Sequence, residues 1–358
     1  MRGARRANFW IAWAALVVVG CEGGFRIIPH PGTVTYDETT FARKKIITFS
    51  IPAPGAVPAD TVIGQVRTYR LREGEMLLDV ARYHDLGYNE ITEANPGVDP
   101  WTPPAGTTIV LPTAWVVPCC TFEGLVLNIP EMRLYFYRPD PRDPKRLLVV
   151  THPVGIGRET WRTPRGRFTV RGKTTDPVWV IPDSIRKERL EDKNDKRKWI
   201  RGGDPENPLG RYRLELTIPR YAIHGTNQPW GIGRLVSHGC VQLYPEDMHR
   251  LFALVDVGTP VEFTYQPLKA GTRDGAVYVE VHSDIYKYAP TTLATARATL
   301  ARRKLSAAAD PKSLEAALSE SRGLPVPLVS ARRQGQHSGR PGYDWPLGAA
   351  WSASSKRK

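Results

Sequence analysis

The sequence predicts a mainly β domain with one short helix after a cysteine-bearing loop, preceded by a small βααβ unit. Three observations lead there. Between residues 121 and 267, "GLVLNI", "RLYFYR", "RLLVVTHPV", "GRFTVRGKT", "YRLELTI", "YAIHGT" and "TPVEFTY" are short strand candidates separated by Gly, Pro and Asp turns, a spacing that suggests a sandwich or barrel. From Thr68 the pattern switches from strand ("TYRL") to helix ("MLLDVARYH", then "NEITEAN") and back to strand ("TTIVLP"). In "YPEDMHRLFALVDVG", Met248, Leu251, Phe252 and Val255 share one helical face, with Pro245 and Glu246 near the start.

In chain order, "MRGARR" is a basic segment and "FWIAWAALVVVG" an apolar run of 12 residues. Roughly 20 residues are needed to span a bilayer, so residues 1–20 read as a signal peptide. The run ends "VVGC", which resembles the bacterial lipobox and makes Cys21 a lipidation site. Several acyl chains on one cysteine suffice for stable anchoring, and Glu22 behind it is no decisive sorting signal. Residues 21–64 are rich in Pro, Gly and Thr and read as a tether, with one short strand in "KKIITFSI". Residues 65–114 are the βααβ unit, with Arg72-Glu73-Gly74 as a turn and Leu77, Val80, Ala81 and His84 at helical spacing. Residues 114–121 read as a linker. The β domain runs over 121–267, with 268–290 as its C-terminal extension. "SIRKERLEDKNDKRKWI" is charged throughout and reads as a solvated helix or lid. Residues 291–358 hold 12 Lys/Arg against 4 Asp/Glu and read as a weak helix or two followed by a basic disordered tail.

The 358 residues carry a formal charge of +14. That suits a polyanionic surface: nucleic acid, anionic lipid or cell wall. No nucleic-acid module accompanies it. Four cysteines, Cys21, Cys119, Cys120 and Cys240, are too few for a disulfide scaffold and lack zinc-type CxxC pairing. Cys119-Cys120 reads as a vicinal disulfide or as two free thiols.

The chemistry concentrates in "AIHGTNQPWGIGRLVSHGCVQLYPED". A cysteine nucleophile needs a base and needs donors for the oxyanion formed on attack. His224 ends a strand candidate and Cys240 precedes a helix, so their convergence would give the thiol a base. Gly239 lets the chain bend so that the N–H groups of Gly239 and Cys240 face one oxygen. No nearby carboxylate orients His224, which leaves a backbone carbonyl, Gly225 being nearest. A buried core cysteine, or zinc held by His224, His238 and Cys240, are the competing readings. The zinc reading lacks a fourth ligand, and His-x-Cys is poor zinc spacing.

"HGTN", a spacer, then "SHGC" and an apolar residue resembles the L,D-transpeptidase (YkuD-type) family of cell-wall enzymes. The resemblance covers most of 121–290, including "VGIGRETWRTPRGRFTV", "DPVWVIPDSIRKE" and "NPLGRY". It implies a YkuD-type β-sandwich with a short helix after the catalytic cysteine. The βααβ unit resembles a LysM glycan-binding module, with Glu75-Met76 where that family usually has an acidic residue and Thr. By this resemblance Cys240 is the acyl-accepting nucleophile and His224 the base, held by the Gly225 carbonyl. Ser237, His238 and Gly239 line the oxyanion site. Thr226 and Asn227 shape the site or touch substrate, and Arg165 and Trp179 lie near the substrate groove. The family commonly has Arg or Asn two residues after the cysteine; Gln242 stands there and cannot supply Arg's charge.

The expected activity is L,D-transpeptidation without metal or organic cofactor. Cys240 attacks the carbonyl between a diamino acid and D-Ala of a tetrapeptide stem, and an amine takes the acyl group. The alternatives are a hydrolase on the same fold and a non-catalytic wall-binding protein. The expected partners are peptidoglycan stem peptides and glycan, the membrane through the lipid anchor, and an envelope protein as acceptor, with no nucleic acid. The expected location is the periplasm or cell envelope.

Overall fold

The computed structural model describes residues 38–45, 47–53, 60–119, 121–288, 290–306 and 309–328. The signal segment, Cys21 and Cys120 lie outside them. The central element is a nine-stranded sheet. In chain order its strands are β1 (Thr48–Pro52), β2 (Gly124–Asn128), β3 (Arg133–Asp140), β4 (Asp143–Pro153), β5 (Gly166–Thr175), β6 (Tyr212–Leu216), β7 (Ala222–His224), β8 (Val241–Gln242) and β9 (Pro260–Thr264). Across the sheet the order is β1-β4-β3-β2-β9-β5-β6-β7-β8. Neighbours are antiparallel except β9 with β2 and β7 with β8.

Strand alternation decides what each face buries. One face sends Leu125, Leu127, Leu134 and Phe136 together with Leu214, Ile223, Val241, Val261 and Phe263 into a single core. β3 and β8 lie six strands apart, roughly 29 Å on a flat sheet at about 4.8 Å per strand. Their sharing one core means that the sheet curls. The helix after the cysteine, Pro245–Leu254, fills the curl with Met248 and Leu251.

The opposite face of β2–β4 carries Val126, Tyr135, Tyr137 and Val149, and here the βααβ unit docks. Its strands Arg67–Arg70 and Thr108–Leu111 pair antiparallel, and its helices are Leu77–Tyr83 and Tyr88–Ala94. Glu75 closes the turn: its carboxylate accepts from Tyr69 Oη and from the Arg72 N–H, both at 2.7 Å. With both faces covered, every residue of β2 is buried, which explains a run as apolar as "GLVLN".

The seam between unit and sheet contains a buried ion pair. Arg133 Nε and Nη2 each donate to Glu90 at 2.8 Å. Glu90 also accepts from Trp115 Nε1 and the Gly87 N–H, both at 2.8 Å. The Arg133 guanidinium lies 4.1 Å from the Trp115 ring centre. Four donors on one carboxylate satisfy it fully, the condition under which a buried pair is tolerated.

Two boundary expectations are corrected. Residues 38–52 are no free tether: Glu38–Ala42 is a short helix with Phe41 buried, and β1 is the edge strand against β4. Lys44 is buried, with Nζ 2.8 Å from Asp247 and 3.3 Å from Asp85. Residues 114–121 are no plain linker, since Ala114–Val116 is a fully buried strand paired with Val62–Gly64. After 290 the expected helices form. Leu293–Arg302 and Pro311–Glu320 are helices capped by Thr292 and Asp310. They cover a three-stranded sheet of Leu268–Arg273, Ala276–Val281 and Val326–Pro327. The expected helices are there, and the sheet they cover supplies the packing that their alanine-rich, modestly apolar faces lack in isolation.

Deleting one partner of the seam pair tests its role. Arg133→Ala leaves the Glu90 carboxylate buried and uncompensated, and should cost about 3–5 kcal/mol in urea unfolding. A loss below about 1 kcal/mol would show that Glu90 does not depend on Arg133.

Candidate active site

β7 and β8 are parallel, with Ile223 opposite Val241 and His224 opposite Gln242. One step back in this register sets Ala222 beside Cys240. Ile223 and Val241 face the core, so His224 and Cys240 share the opposite face of adjacent strands. β6 adds Arg213 opposite His224 and Glu215 opposite Ala222. Arg213, His224 and Gln242 therefore form one cross-strand row, and Glu215, Ala222 and Cys240 lie in the next. A parallel pair cannot be joined by a tight turn; the loop from Gly225 to Gly239 makes the crossover.

That loop is held at several points. Leu235–Ser237 pairs parallel with Ile156–Gly157. Gln242 and Gly155 exchange two backbone hydrogen bonds of 2.8 Å. The Tyr88 N–H donates to the Ile232 carbonyl at 3.0 Å, and the Arg234 guanidinium lies 3.7 Å from the Tyr88 ring centre. The βααβ unit thus buttresses the loop that carries the site.

His224 is buried, with Nδ1 2.6 Å from the Gly225 carbonyl oxygen. That bond places the proton on Nδ1 and leaves Nε2 to act as base. Burial pushes its pKa down to about 4, against the pull of the Gly225 and Leu209 carbonyls, with the Arg213 charge adding to the depression. Burial pushes the Cys240 thiol up, opposed by the Ala222 backbone and by Arg213. The thiol donates to the Arg220 carbonyl at 3.7 Å. At rest burial favours a neutral thiol and a neutral imidazole.

The oxyanion expectation needs correction. The Gly239 N–H donates to Ser237 Oγ at 3.0 Å, and that hydroxyl donates to the Cys240 carbonyl at 2.6 Å. Ser237 pins the nucleophile turn, and the Cys240 N–H is what remains of the expected pair. His238 turns toward the charged helix Asp183–Lys193: Nε2 is 3.3 Å from Glu188 Oε1 and the ring lies 5.1 Å from Trp161. Arg158 meets both. Thr226 Oγ1 accepts from the Gln228 N–H at 2.9 Å and Asn227 Nδ2 donates to the Pro205 carbonyl at 3.0 Å, so both shape the turn. Arg165 lies over Tyr288 at 4.7 Å and Trp179 near Arg189 at 5.6 Å, neither in the cross-strand rows. Cys119 is an exposed free thiol.

Two residues escaped the sequence reading. Nothing in "YRLELTI" singles out Arg213; only the register places it beside His224. Tyr221 packs against the nucleophile turn. Gly239 has φ +106°, and a Cβ there would lie 2.5 Å from Tyr221 Cε1.

Among the described residues two groups could offer metal-ligand atoms, Asp85/His152/Asp247 and Glu131/Glu280/His282, and neither includes Cys240 or His224. Each already holds an ammonium: Lys44 in the first, and in the second Lys269, 2.8 Å from both Glu131 and Glu280.

Fold and site together define a cysteine-dependent acyl-transfer enzyme built on a curled sheet. The L,D-transpeptidase catalytic domain (YkuD) matches residues 123–263. The Escherichia coli (strain K12) protein named "Probable L,D-transpeptidase YbiS" is 37% identical over 243 residues, covering 67% of this chain and 76% of the relative. "Probable L,D-transpeptidase ErfK/SrfK" of the same organism is 32% identical over 298 residues, covering 80% and 93%. The chain belongs to the L,D-transpeptidase family.

Two outcomes are expected. Gly239→Ala should lower the rate of Cys240 alkylation by iodoacetamide at least about tenfold, because both φ and Tyr221 oppose the added carbon; an unchanged rate would mean that the turn tolerates it. Because the imidazole stays neutral down to about pH 4, it can accept a proton there, and the acid limb of kcat/KM should lie near 4. A limb at the ordinary histidine value of about 6.5 would contradict the buried, neutral His224.

Proposed function

We propose that this L,D-transpeptidase acts on peptidoglycan tetrapeptide stems through Cys240 and His224. The observation that carries this reading is the parallel register of β7 and β8, which sets both side chains on one face with Nδ1 of His224 tied to Gly225. Cys240 Sγ attacks the carbonyl between the diamino acid and D-Ala while its proton passes to His224 Nε2. The carbon–nitrogen bond then breaks as His224 returns that proton to the departing D-Ala amine, leaving a thioester. An amine attacks the thioester, His224 takes the amine's proton, and the thiol is regenerated. The Cys240 N–H stabilises the oxyanion in both halves. Ser237 holds the turn that aims it, and His238 ties that turn to the Asp183–Lys193 helix.

The finer parts belong to the same proposal. The 65–114 unit binds glycan in the LysM manner while bracing the catalytic loop. Cys21 carries the lipid that holds the chain at the cell envelope. The acceptor is a neighbouring stem's diamino-acid side chain, a protein lysine or a free D-amino acid.

The test is mass spectrometry of muropeptides incubated with purified protein. Wild type should produce cross-linked dimers, or exchanged stems when a free D-amino acid is supplied, and Cys240→Ala should produce none while keeping its unfolding temperature. Tripeptides alone would make water the acceptor and the enzyme a hydrolase. Activity retained in Cys240→Ala would remove the nucleophile assignment.

A further inference from the structure

The row beside the nucleophile contains a charge that the sequence motif does not announce. Gln242, two residues after Cys240, is neutral. Across the row from it, on the other side of His224, stands Arg213. Directly opposed residues in an antiparallel pair have Cβ atoms about 4.5–5.5 Å apart, so Arg213 is an immediate neighbour of the base. Its Nη1 lies 3.2 Å from Glu215 Oε1, and Arg171 Nη2 lies 3.2 Å from the other oxygen of the same carboxylate. Two guanidiniums on one carboxylate leave a net positive charge. The side chains of Arg213 and Glu215 are 28% and 27% exposed, so a ligand can reach them. The Arg213 charge acts on the imidazole, lowering its pKa, and on the thiol, favouring the thiolate.

The reaction puts an anion at this spot. His224 must reach the nitrogen of the departing D-Ala. The carboxylate carbon of that residue is two bonds away, about 2.5 Å from the nitrogen by standard backbone geometry. A terminal carboxylate is therefore delivered within reach of the strand next to His224. Guanidinium is the side chain best matched to carboxylate, in charge and in fork geometry.

We propose that Arg213 binds the terminal carboxylate of the donor stem. The assignment rests on the tetrapeptide reading above. It gives Arg213 a substrate-binding role that Gln242 cannot fill, since Gln has no charge to offer.

The experiment compares two donors with the purified full chain: a disaccharide tetrapeptide with a free D-Ala carboxylate, and the same compound amidated at that carboxylate. Release of D-alanine or D-alaninamide is followed by mass spectrometry. Wild type should favour the free carboxylate by about 10- to 100-fold in kcat/KM, mostly through KM. Arg213→Ala should lose that preference by slowing the carboxylate donor far more than the amidated one. Arg213→Lys, which keeps the charge but not the fork, should fall between and guards against a folding artefact. Wild type that treats both donors alike overturns the assignment, as does an Arg213→Ala protein that keeps the preference. If wild type releases nothing from either donor, the tetrapeptide reading fails and Arg213's role fails with it. Release without discrimination removes Arg213 alone.

Discussion

The parallel pairing of two very short strands, Ala222–His224 and Val241–Gln242, is the constraint on which the rest of the site depends. Parallel neighbours must be joined by a long crossover, so fifteen residues leave the sheet between the base and the nucleophile. A crossover of that length needs support from outside the sheet. It receives it from Gly155–Gly157 beneath, from Tyr88 of the βααβ unit, and from Thr163, whose Oγ1 donates to the Gly239 carbonyl at 3.0 Å. Each support is a backbone or short side-chain contact, which fixes position more tightly than long flexible side chains would.

Buried charge joins the parts into one body. Glu90 with Arg133 fastens the βααβ unit to the sheet. Lys44 brings the amino-terminal segment against Asp247 on the helix after the nucleophile, and Lys269 joins Glu131 of the catalytic region to Glu280 of the C-terminal sheet. In the first lysine cluster, Lys44 and His152 hold the Asp85 carboxyl well below the usual range despite its burial. Burial and the Asp85 charge push neighbouring Asp247 up to about 7. Two carboxyls so close cannot both ionise freely, and the cluster keeps one proton near neutrality. Such seams contribute little net stability over apolar packing, but a partner lost from any of them leaves an unpaired buried charge.

The same burial shapes the chemistry. His224 and Cys240 are both moved toward their neutral forms, one downward and one upward. A neutral pair does not commit the thiol to ionisation in the absence of substrate. Arg213 acts against part of this by favouring the thiolate, and it is the one charged side chain opposite the base in the strand register.

The sequence by itself determined the strand-rich class, the βααβ pattern and the helix after Cys240, and it singled out Cys240, His224 and Gly225 as the residues on which the proposed chemistry rests. These follow from periodicity and from a motif whose members sit within 17 residues of each other. Tertiary structure alone decided the rest. Arg213 became part of the site because antiparallel register set it opposite His224, and register is a pairing of strands that no local pattern specifies. Gly239's N–H was assigned to the oxyanion until the fold turned Ser237 Oγ onto it. Glu38–Ala42, Thr48–Pro52 and Ala114–Val116, read as tether and linker, became ordered elements because apolar faces on other segments were available to cover them. Whether a weakly amphipathic segment folds depends on what it packs against, and that surface exists only after the chain has collapsed.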